Sequence, residues 1–109
     1  MFTLQDLQRA IRQGRIRITS HAKEEMWNDR VGPQGVFFTV LEGHPEVVEA
    51  YPTPQGRPFP MMLVLGWISE KEPLHSLWAY DGEKRMAILI TVYRPDPSRW
   101  DETFRRRKR

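Results

Sequence analysis

The chain has no cysteine. That excludes a disulfide framework, a thiolate metal site and a cysteine nucleophile. It has no apolar run near the ~20 residues a membrane-crossing helix needs. It also lacks a glycine-rich phosphate loop, an HExxH pair and a GxSxG elbow, which removes most enzymes recognisable by pattern. The first residues, MFTLQDLQRAIRQ, are amphipathic and carry Asp6, unlike a secretory leader. With the missing cysteine, this predicts a cytoplasmic protein. At 109 residues the expectation is one domain with a core of its own.

The net charge of +3 is concentrated at one end. Residues 105–109 read RRRKR; without these five, 12 of the 17 basic residues remain against 14 acidic ones, a net of −2. The expected organisation is an α+β domain over 1–104 followed by a basic tail over 105–109. Such a tail either binds nucleic acid or an acidic partner, or is a solvated end.

What the chain does contain falls into an order. Thr3 with Asp6 forms a capping box for a first helix whose stripe is Leu4, Leu7 and Ile11, with Gly14 at its end. IRIT (16–19) fits either a short strand or an extended connector. Thr19 or Ser20 caps a second helix running to about Arg30. VGPQG breaks it, and Val36, Phe37, Val40 and Leu41 mark a third helix. EVVEAY (46–51) is β-prone, PTPQGRPFP (52–60) is a loop, and MMLVLGWI (61–68) reads as a buried strand. PLHSLWAYD and KRMAILITVYR form a hairpin around Asp81-Gly82. Ser98 with Asp101 is placed to open a short last helix carrying Trp100 and Phe104. Helices followed by a meander of about four strands predict helices packed on an antiparallel sheet.

The residues available for chemistry are scattered. His21 and Glu25 share a face of the second helix, so His21 is a candidate general acid or base that Glu25 orients. The alternative is an ordinary surface pair. Alternation places His75 with Leu77 and Ala79, opposite Leu74, Ser76, Trp78 and Tyr80. There His75 is either a complementary catalyst or a hydrogen-bonded core residue. Thr91 and Tyr93 are expected on one face with Ala87 and Leu89. Tyr93 is a candidate proton donor; Arg30, Thr91 and Arg94 are candidate substrate contacts. Trp67 and Trp78 are expected to fill the core, while Trp27 has no evident packing role. No metal or cofactor is called for.

The ordered segments SHAKEEM, DRVG, EVVEAYP, RPFPMMLVLG, PLHSLWAY and ITVYRPDPSRW resemble a bacterial and archaeal family of small proteins of unknown function. That family reads roughly HAxERMxxRGI, a Tyr-Pro, an LVLG-like strand, PLHVV and TVYxPDPxxW. The resemblance implies kinship with RelE/barnase-like ribonuclease toxins. It implies a metal-independent RNA endonuclease of the mRNA-interferase type, a hydrolase in a type II toxin–antitoxin module. RNA and a small cognate antitoxin, with a zinc-finger segment as in MqsR-type pairs, would be its partners. One departure stands out: Glu25 occupies a position where many members carry Arg, removing a cation that could hold a phosphate. The competing expectation is a non-catalytic interaction domain with a toxin-like fold.

Overall fold

The computed structural model describes residues 1–52 and 55–108. Its elements run α1 (Leu4–Arg12), β1 (Ile16–Ile18), α2 (Ser20–Asn28), α3 (Pro33–Leu41), β2 (Glu46–Tyr51), β3 (Met61–Ser69), β4 (Glu72–Asp81) and β5 (Met86–Tyr93). The fold is α+β, three helices on a five-stranded mixed sheet of order β1-β5-β4-β3-β2. The sheet is thus neither four-stranded nor wholly antiparallel. IRI pairs parallel to β5, Ile16 opposite Ala87 and Ile18 opposite Leu89. The intervening chain is long enough for the crossover that parallel pairing requires. Among the described residues no helix is long and apolar enough to cross a membrane.

Local chemistry sets the helix starts. Thr3 and Asp6 exchange the two bonds of the capping box (2.9 and 3.0 Å), which satisfies two otherwise orphaned donors. Thr19, not Ser20, caps α2: its hydroxyl accepts from Ala22 N at 3.1 Å and donates to the Ile90 carbonyl at 2.9 Å. One side chain therefore starts a helix and ties it to the sheet.

Alternation gives the strands two unlike faces. Trp78, Leu74, Leu89 and Val92 point to the helices and share one core with Leu7, Ala22, Met26, Val36 and Val40. The Trp78 indole N–H donates to Ser76 Oγ at 2.8 Å, so this interior leaves no orphaned polar group there. Gly66 allows the close approach of α3, since a methyl group there would run into the Thr39 backbone.

The opposite face departs from the expectation in two ways. Bulges shift the register between Val47 and Glu49 in β2 and between Leu77 and Trp78 on the β4–β5 pair. Leu77 pairs with Thr91 and Trp78 with Leu89, leaving Ile90 as the extra residue. Thr91 and Tyr93 therefore turn away from Ala87 and Leu89 and join the face of His75, because one inserted residue reverses every side chain beyond it.

The second departure is the C-terminus, which forms turns and a Trp100–Arg107 bridge instead of a helix. Asp96 and Asp101 explain this. Asp96 Oδ1 accepts from Ser98 N at 2.8 Å, and Asp101 Oδ1 accepts from Thr103 N at 3.0 Å and from its hydroxyl at 2.7 Å. Such local bonds offer the backbone an alternative to helix, and Phe104 then adopts φ 61°.

Candidate functional site

The C-terminal segment lies across the second face and closes a polar cluster there. His75 is fully buried. Its Nε2 lies 2.9 Å from the Phe104 carbonyl and its Nδ1 3.2 Å from the Tyr93 hydroxyl. A carbonyl only accepts, so Nε2 carries a proton; in the neutral ring, the form that burial favours, Nδ1 then accepts from the Tyr93 hydroxyl. The Trp100 ring meets it edge-on, centroids 4.4 Å apart. Burial pushes His75 below its ordinary value, against the opposing pull of the Phe104 carbonyl and Glu49. Burial likewise pushes Tyr93 up to about 12.

Around this pair two arginines of the tail clamp β2. The Arg105 guanidinium meets both Glu46 oxygens (2.5 and 2.9 Å), and Arg107 meets both Glu49 oxygens (2.9 and 3.1 Å). Arg107 also lies over the Trp100 ring at 4.7 Å, and the Tyr51 hydroxyl donates to Glu49. The bidentate arginines hold both glutamates below the usual carboxylate range. Strict alternation would put Glu46 and Glu49 on opposite faces. The β2 bulge pairs them with Leu65 and Leu63, so both reach the tail.

The candidate residues divide accordingly. His75 and Tyr93 meet. Thr91 lies on their face, half-buried. His21 stands exposed on α2 and Glu25 half-buried one turn on; Ala22 and Met26 of that helix pack into the core on the sheet's other side. His21 and His75 therefore do not converge on one cleft. Arg94 serves as a strap: its backbone N–H donates to Asp29 Oδ2 (3.0 Å), its Nε to the Asp29 carbonyl (3.1 Å), and its Nη1 meets Glu72 (3.3 Å). Arg30 is exposed in the left-handed region, φ 55°, and among the described residues no carboxylate pairs with it.

Arg30 instead borders an open groove of about 660 Å³ with Lys23, Met26, Trp27, Val31 and Pro33. Trp27 is 84% exposed. The sequence had left this tryptophan without a packing role, and that was the available signal. The tail's ion pairs gave no such signal, since they depend on the bulge.

No curated protein and no solved structure shows significant similarity to the chain. A family model does match, over residues 18–94, and its span takes in α2, α3 and β2 to β5, with His21, His75 and Tyr93. The chain belongs to that family, described as Domain of unknown function (DUF4258).

Proposed function

We propose that the chain is a non-catalytic interaction domain that captures a partner protein in the groove beside Trp27. The observation that carries this is a tryptophan left 84% exposed at the edge of a groove with an apolar floor and two cations, Lys23 and Arg30, that no carboxylate among the described residues pairs with. Water-exposed tryptophan and arginine around an apolar pocket are the residue types that anchor protein interfaces. The complementary occupant is an acidic amphipathic segment, its apolar ridge against Met26, Trp27 and Val31 and its carboxylates toward Lys23 and Arg30. A small cognate antitoxin is the partner the family resemblance suggests. A phosphate backbone fits less well, because Glu24 borders Trp27 on its other side, Glu25 lies on the same helix and Asp29 caps that helix's end.

A photo-crosslinking residue at position 28, exposed beside Trp27 and leaving that ring in place, in the cells the chain comes from, tests this. The expected adduct is one acidic protein, absent when Lys23 and Arg30 are both made Glu. A nucleic-acid adduct, or none, contradicts it.

Metal-independent RNA cleavage by a RelE/barnase-like toxin is the second reading, favoured by the contact between His75 and Tyr93. Both ring nitrogens of that histidine are engaged and its surface is covered, so a substrate would first have to displace the C-terminal segment.

A further inference from the structure

A second recess lies on the sheet face away from the helices, at the opposite end of β4 from His75. It is about 220 Å³, and Arg17, Thr19, Arg57, Phe59, Ala79 and Ile88 are among the residues lining it. Its floor is set by register: Met61, Ala79, Ile88 and Arg17 form one row across β3, β4, β5 and β1. Ala79 and Ile88 are almost completely buried, while Phe59, Met61 and Ile90 beside them are half-buried, so the surface the floor exposes is apolar. Its rim is cationic. Arg17 and Arg57 are both exposed, and among the described residues no carboxylate pairs with either. Thr19 in the wall is also the N-cap of α2, whose positive end adds to the potential there.

We propose that this recess binds a nucleoside monophosphate unit, its base on the apolar floor and its phosphate between Arg17 and Arg57. The chemistry follows from the two halves of the site. Arginine forks match phosphate oxygens, and a narrow apolar slot beside an aromatic ring suits a planar base. The small volume admits one base, with its ribose and phosphate at the exposed rim. Other small anions satisfy the arginines but leave the floor unused, and apolar ligands leave two cations facing them unmatched. The inference is independent of the Trp27 groove, which lies on α2 and the α2–α3 elbow. The unit could be a free nucleotide or one residue of a single strand; the recognised chemistry is the same.

Amide chemical shifts of the full chain, titrated separately with the four ribonucleoside monophosphates, inorganic phosphate and a short oligouridine, test it. The expected result is saturable shifts centred on Ala79, Ile88 and Arg17, with a dissociation constant below about 1 mM for at least one mononucleotide or for the oligomer. Tighter binding of the oligomer identifies a strand as the source; tighter binding of the mononucleotide identifies the free ligand. An Arg17→Ala, Arg57→Ala variant, altered only at exposed positions, should weaken binding about tenfold or more. Four outcomes overturn the proposal: no shifts, shifts elsewhere, equal binding by inorganic phosphate, or unweakened binding by the variant.

Discussion

The two faces of one sheet are built from the same four long strands and obey different physics. The helix-side face is largely apolar, with Ser76 taking the Trp78 N–H, and Trp78, Leu74, Leu89 and Val92 join it to the three helices. It gains stability from area removed from water and from close packing. The other face holds His75, Tyr93, Glu49 and Tyr51 under a turn-rich C-terminal segment. Its hold is directional, so it depends on protonation state and on each partner being present. The first face makes the fold, and the second fastens the end of the chain to it.

The largest test of this contrast is Trp78→Ala, which empties a fully buried position. It should cost about 3–5 kcal/mol in urea unfolding and lower the whole molecule's stability in one transition. Next is His75→Ala. It leaves the Phe104 carbonyl and Tyr93 hydroxyl without their partner, at about 1–3 kcal/mol for the orphaned groups. Unlike Trp78→Ala, it should also speed chymotryptic cleavage at Trp100 and Phe104 more than at Trp67 of β3 or Trp78 and Tyr80 of β4. Equal acceleration everywhere would erase the distinction between the faces.

Acid separates the faces without mutation. His75 is depressed in the folded chain, so below its ordinary value near 6.5 the unfolded chain binds more protons. Stability from this group is present above that value and is lost as pH falls below it toward the folded value. Glu46 and Glu49 are also depressed, and their contribution is lost at still lower pH, below the usual carboxylate value. Thermal scans should show the midpoint falling first below about pH 6.5, and His75→Phe should remove that first step. Glu49→Gln should cost under about 1 kcal/mol, as for a partly exposed pair, with the loss reduced in high salt. Smallest of all, Trp27→Ala should change stability by no more than about 0.5 kcal/mol while removing partner capture.

The helix-side face was legible because it follows simple periods. Thr3 and Asp6 announced α1, and the alternation in PLHSLWAY placed Trp78 and His75 on their correct sides. The second face was legible only up to its bulges. The extra residues in β2 and β5 turn Glu46 and Glu49 to the same side and reverse Thr91 and Tyr93, and nothing in local composition marks where a bulge falls. The C-terminal helix was misjudged because Ser98 and Asp101 have the spacing of a cap. Both Asp96 and Asp101 bond instead to the next turn of backbone. Arg105 and Arg107 read as a free basic tail because their acidic partners lie 59 and 58 residues away.

The candidate site divides along the same line. His21 and His75 were each identified as residues worth attention, but the sheet separates them, and a sequence does not report that separation. Whether the chain binds or cleaves is therefore best decided by incubating the purified full chain with single-stranded RNA in EDTA over a range of pH and following fragments by mass spectrometry. The account predicts intact RNA from the wild-type chain and from His21→Ala and His75→Ala alike. Cleavage by the wild-type chain that either substitution reduces about a hundredfold, the scale of a lost general acid or base, would contradict it.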